Sequence, residues 1–288
     1  MSRPRFLKTS YYELCHIWHN PRLPILAALI GTALIVGGAT VFTLYHDAFA
    51  RKAWYQFRAP RMALVLDFSD AKLASDIGNY YFNGGAYDLK IAERAYKKAL
   101  SIKPDILWGH YQLARIYFVY GDFEGALAET GLELAANPEN LRTLYVRGLI
   151  YGYRGRPGDL LLAEADFRRF TLWAPSEWAG YNDLAWILSK EAKYQDAKDA
   201  MLVALARVAD AEKNPWLWNA KGVAELNLGE YKKAAESFGR ALALAEGLTE
   251  ADWRRSYPGN NPGGAEAGLS AFKEAIQSNL ARAVSFLQ

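Results

Sequence analysis

A chain that repeats itself every 34 to 37 residues has few architectures open to it. "YGDFEGALAETGLELAANP" at 120–138 and "LGEYKKAAESFGRALALAEG" at 228–247 share a glycine turn, an aromatic, an early alanine and an apolar helical face. Fixed-period self-similarity outranks any local assignment, because it makes each segment one copy of a unit. Gly78, Ala114, Gly148, Ala185 and Gly222 are spaced by 36, 34, 37 and 37 residues. Ala92, Ala126, Ala163, Ala197 and Ala234 are spaced by 34, 37, 34 and 37. Beyond these alanines come Tyr96, Phe167, Met201 and Phe238, and Pro104, Pro138 and Pro175 close the first three units. The pattern predicts five consecutive helix-turn-helix units.

Side-chain size explains the pattern. Small residues at the crossing points let two helices lie close, and the aromatics fill the gaps beside them. Gly121 and Gly229 supply turns where a side chain would be strained. Each two-helix unit has two apolar faces and cannot bury both alone, so units must stack.

These markers resemble those of the tetratricopeptide repeat family over about residues 71 to 245. The fullest matches are the second unit (Leu113, Ala114, Tyr117, Gly121, Ala126, Pro138) and the fifth (Trp218, Gly222, Gly229, Tyr231, Ala234, Phe238, Ala241). The resemblance implies an all-α, right-handed α-solenoid. Departures from it are local. The turns "NGGAY" and "YRGRPGDLLL" are longer than the family's, and the fourth unit runs through "DAEKNP" to Pro215. Thr130 and Glu133 stand where the family prefers a large apolar residue and an alanine.

Residues 246–288 are expected to be a polar loop and a capping helix that covers the end of the stack. Leu269, Phe272, Ile276, Leu280, Val284 and Leu287 recur at helical spacing there. An amphipathic helix that binds a partner or a membrane has the same pattern, though this polar face is not markedly basic.

The N-terminal quarter differs. Residues 24–45, "PILAALIGTALIVGGATVFTLY", run for 22 residues without a charge, long enough to cross a hydrocarbon core of about 30 Å. They predict a transmembrane helix between a basic and aromatic tail, 1–23, and a juxtamembrane linker, 46–70. Tyr11, Tyr12, Trp18, Trp54 and Tyr55 suit the headgroup region on either side. Ala48-Phe49-Ala50 has the form of a signal-peptidase site, but the apolar run and leading tail exceed those of a usual signal peptide. An uncleaved single-span anchor is therefore expected. Bases flank both sides equally, but Arg22 abuts the apolar run and Arg51 does not, which favours the tail inside and the repeats on the extracytoplasmic side. Ala27/Gly31 and Ala33/Gly37 are small residues four apart of the kind that permits self-association.

Catalytic signatures are missing from the sequence. There is no phosphate-binding loop, no dinucleotide fingerprint, no H-E-x-x-H and no C-x-x-C. His16 and His19 lie three apart without a third ligand and read as interfacial residues; His46 and His110 are isolated. The one cysteine, Cys15, permits no intramolecular disulfide. Net charge is +3 with both signs interspersed, so nucleic acid is not an expected partner. Neither an enzyme nor a cofactor or metal site is expected.

The family resemblance leaves the concave groove, lined by the first helix of each unit, as the functional surface. By register it presents Asn79, Phe82, Trp108, Tyr111, Arg115 and Phe118, then Tyr145, Tyr153, Asn182, Trp186, Lys190, Trp216, Asn219 and Asn227. Many of these rings are equally accounted for by packing between helices. Arg115, Asn182, Lys190 and Asn219 are the stronger candidates because packing does not require them. The family's carboxylate clamp of Lys and Asn is not matched, as Arg115 and Trp186 show. The expected function is a membrane-anchored scaffold or adaptor that binds partner proteins or peptides. The alternatives are a self-oligomerising structural element and an accessory subunit of a membrane or envelope enzyme.

Overall fold

The computed structural model describes residues 22–84, 86–257 and 260–288. The tail with Cys15, His16, Trp18 and His19 lies outside the described residues, as do Gly85 of the first turn and Pro258-Gly259 of the C-terminal loop. Among the described residues the regular structure is entirely helical, with 14 α-helices and no strand. The chain divides into two compact units, residues 1–69 and 70–288.

In the first unit, α1 runs Arg22–Tyr55 and α2 runs Pro60–Leu66. α1 continues past the apolar run, so much of the segment expected as a linker is helical. Its apolar face is bare: Leu34, Ile35 and Leu44 are each 70% or more exposed. The hydroxyls of Thr32, Thr40 and Thr43 donate to carbonyls one turn back, so the helix satisfies its own polar groups. Further on, the end of α1 packs with α2, and Ala50, Ala53, Trp54 and Ala63 are buried.

The second unit contains ten helices in five consecutive packed pairs. These are α3 (Ala71–Phe82) with α4 (Leu89–Ile102), α5 (Gly109–Tyr120) with α6 (Phe123–Ala136), and α7 (Arg142–Arg154) with α8 (Asp159–Trp173). α9 (Trp178–Lys190) pairs with α10 (Tyr194–Arg207), and α11 (Pro215–Asn227) with α12 (Tyr231–Glu246). Short polar residues start several of them. The side chains of Asp70, Asp88, Asp122 and Asn214 accept backbone N–H groups in the first turns of α3, α4, α6 and α11. Pro104, Pro138 and Pro175 follow the last residues of α4, α6 and α8 at a distance of two, where they stop the helix. Pro215 does the opposite and opens α11, where its missing N–H costs nothing.

The small residues make the close crossings. A Cβ on Gly222 would lie 2.7 Å from the fully buried Phe238 ring. Gly121 and Gly229, at φ of +76° and +75°, make the turns into α6 and α12. Glu133, out of place by the family pattern, is fully buried and explains itself. Its carboxylate accepts the main-chain N–H groups of Trp108 and Tyr111, both at 3.1 Å, and the Asn140 amide at 2.8 Å. It therefore caps the N-terminus of α5, where Trp108 itself offers no side-chain cap.

The last helices are α13 (Glu250–Ser256) and α14 (Ala265–Ser285). α14 packs on α12, burying Ile276 and Ala283 against Ala234, Phe238, Ala241 and Ala245. It caps the fifth pair. The expected face is not buried to its end, since Val284 in the final turn and Leu287 beyond the helix are exposed.

Candidate functional site

The first helices of the last three pairs enclose a cavity of about 320 Å³. α7 contributes Tyr153; α9 contributes Asn182, Asp183 and Trp186; α11 contributes Trp216 and Asn219. Two further walls, Tyr257 and Phe272, come from the C-terminal segment. Five of the residues expected from the sequence, Tyr153, Asn182, Trp186, Trp216 and Asn219, thus meet in one place.

Two rows of rings frame the cavity. Phe118, Tyr153 and Trp186 succeed one another across α5, α7 and α9 at centroid distances of 5.4 and 5.0 Å. Trp178, Trp216 and Phe272 stack from α9 through α11 to α14 at 5.1 and 5.4 Å. Trp216 is consequently buried. Its indole Nε1 is buried without a hydrogen-bond partner, and the Tyr257 ring lies edge-on to the indole at 6.2 Å.

Asp183 holds the only carboxylate lining this cavity. Tyr145, packed on Phe167 and Phe170, donates its hydroxyl to Asp183 Oδ2 at 2.6 Å, and Asn182 donates to Oδ1 at 3.0 Å. No lysine or arginine among the described residues pairs with it. Burial disfavours the charged form more than these two donors favour it, and the carboxyl is pushed up to about 6. Beside it, Asn219 Oδ1 is buried with no hydrogen-bond donor.

Other expected residues are tied into the scaffold. Arg115 stacks on Phe82 at 4.5 Å and donates to Asn83 and Gln112 at 2.9 and 2.8 Å, fastening the second pair to the first. Lys190 donates to the Gly152 carbonyl at 3.0 Å and lies 4.4 Å from the centre of the Trp186 ring. Both were expected to be free of packing duties, and both carry them, because their long stems reach the neighbouring pair. Asn79 accepts the hydroxyl of buried Tyr96 at 2.9 Å, and Asn227 donates to its own helix at Val223. Trp108, with Tyr111 edge-on to it at 5.0 Å, lines a separate depression of about 470 Å³ with Pro138, Arg142 and Trp173.

Asp183 and Tyr257 were not expected from the sequence, and Phe272 was expected only on the apolar face of the capping helix, not in the groove. Asp183 follows Asn182 on a face already selected and was legible from that neighbour. Tyr257 and Phe272 lie outside the repeats, where the register says nothing about the groove.

Comparison with known proteins bears on the same helices. The family model for the tetratricopeptide repeat matches residues 215–248, which form the α11–α12 pair. The α11–α12 pair is a tetratricopeptide repeat, and the repeat domain as a whole has the fold of a tetratricopeptide-repeat solenoid. Solved structures agree with it at the level of fold. A tetratricopeptide repeat protein from Parabacteroides merdae superposes with a TM-score of 0.54 at 16% identity, over 84% of this chain and 99% of its own. PilW, a widely conserved type IV pilus biogenesis factor, gives 0.54 at 16% identity, over 75% and 90%. YrrB, a tetratricopeptide-repeat protein with an unusual peptide-binding site, gives 0.51 at 18% identity, over 66% and 93%. No curated protein sequence matches the chain.

Proposed function

We propose that this chain is a membrane-anchored interaction scaffold that holds partner proteins or peptides in the concave groove of its tetratricopeptide repeats. The cavity between α7, α9 and α11 carries the reading, because it combines ring surfaces with polar groups that the fold leaves unused, Asn219 above all. An extended peptide needs that mixture: rings offer apolar area, and amides bond its main chain. YrrB, of the same fold, has a peptide-binding site. The repeat family is in general a non-catalytic scaffold, and binding rather than turnover is the activity assigned to this chain.

Anchoring is supported by α1. Its 34 residues extend about 50 Å, more than a hydrocarbon core requires, and its apolar residues are exposed with the threonine hydroxyls satisfied internally. Ala48-Phe49-Ala50 lies within this helix, with Ala50 fully buried, rather than in an extended segment open to a peptidase. Confinement to the bilayer raises the scaffold's effective concentration near membrane partners. The repeats are assigned to the extracytoplasmic side. A membrane-impermeant maleimide tests this through Cys15: labelling only after lysis, at full-length mass, agrees with it, and labelling in intact cells refutes it.

Groove binding is tested by placing a photo-crosslinking amino acid at Asn219 in the full chain in cells, with Lys232 on α12 as the comparison. Discrete adducts with another protein are expected from position 219 and not from 232. Equal adducts from both positions, or none from 219, refute the groove.

A further inference from the structure

The chemistry of the cavity specifies more than a peptide. Asp183 presents two carboxylate oxygens, each met by a single neutral donor, Tyr145 or Asn182. Asn219 Oδ1, buried and without a donor, adds a third acceptor. Lys190, which lies over the Trp186 ring, is engaged with the Gly152 carbonyl and that ring. The remaining walls are aromatic, and ring faces attract cations. A surplus of acceptors, one uncompensated acid and ring walls together fit a planar, donor-rich cation.

We infer that the cavity bounded by Tyr153, Asp183, Trp186 and Asn219 is a receptor for one arginine side chain of an extended partner peptide. The inference rests on the groove reading above and deepens it. A guanidinium offers five N–H donors and no acceptor, enough to reach Asp183 and Asn219 together while its plane lies against a ring. Lysine matches the charge but not the planarity. The buried Trp216 N–H, which no cation can satisfy, requires an acceptor on the same ligand, and a main-chain carbonyl of the peptide supplies it.

The test uses the full chain in detergent micelles and a library of random heptapeptides. Selected peptides are resynthesised with each arginine replaced by citrulline, its neutral isostere, or by lysine. They are measured against the unaltered chain, Asp183→Asn and Trp186→Ala. Asp183→Asn removes the charge and keeps one acceptor, for Tyr145, at the expense of the bond from Asn182. The expected result is a shared arginine whose replacement by citrulline weakens binding roughly tenfold or more, with that difference abolished in Asp183→Asn. Lysine is expected to fall between the two. Peptides without arginine that still lose affinity in Trp186→Ala would overturn the arginine receptor and leave the groove standing. So would lysine equal to arginine. Peptides indifferent to both variants, or no selected peptides at all, would overturn the groove as well.

Discussion

Replacing Glu133 by alanine sets the geometry of this chain against its family's pattern. The family prefers alanine there, so repair toward the pattern would be expected to stabilise the fold. The structure demands the reverse. Glu133 is fully buried, and its removal orphans two main-chain N–H groups at the start of α5, together with the buried Asn140 amide. An unsatisfied buried donor costs about 1–3 kcal/mol, less where water reaches the helix end. Alanine's helix propensity returns about 0.5 kcal/mol, and removal of a buried carboxylate returns more. The net expectation is a loss of about 2–4 kcal/mol. Urea unfolding of the full chain in micelles, followed by tryptophan fluorescence, gives the shift in midpoint. Hydrogen exchange at the amides of Trp108 and Tyr111 localises it to the start of α5. Glu133→Gln, which keeps one acceptor, should fall between. If Glu133→Ala is as stable as the unaltered chain, with exchange unchanged, the trans-capping argument is wrong.

Other perturbations have equally definite signs. Lys221→Met strips the cation from buried Glu225, which retains only the Ser237 hydroxyl, and should cost about 3–5 kcal/mol in unfolding midpoint. Gly222→Ala drives a methyl into Phe238 and should destabilise by about 1 kcal/mol net of helix propensity, whereas Gly131→Ala meets nothing within 4 Å and should stabilise by about as much. Because burial raises the Asp183 carboxyl to about 6, the folded chain holds that proton where the unfolded chain has released it. Stability from this group is therefore full below the ordinary aspartate range and is lost as pH rises through about 6, so the effect of Asp183→Asn should be about 2 kcal/mol more favourable at pH 7 than at pH 4. The tyrosines facing it, Tyr145, Tyr153 and Tyr257, are all raised by burial and stay neutral throughout that window. Arginine-peptide affinity should fall as pH drops below 6 for the same reason, and a flat pH profile in either measurement would contradict the assignment.

Periodicity alone determined that this chain stacks helix pairs. The glycines and alanines at the crossings, the aromatics beside them and the prolines that stop α4, α6 and α8 are local requirements of one recurring unit, so they are written in each copy. The apolar run of α1 was legible for a similar reason, since length and hydropathy are properties of a contiguous segment. Which side chains are free for a ligand was decided only in three dimensions. Arg115 and Lys190 look unemployed along the sequence and are engaged by the next pair; Glu133 looks misplaced and caps a helix 22 residues away. Asp183 becomes an uncompensated acid because the rings of three pairs close around it, and Phe272 becomes a wall of the groove because α14 folds back over α12. Burial and pairing depend on residues distant in sequence, which a repeat register cannot bring together. The register yields the scaffold, and the stacking of its last units with the cap creates the site.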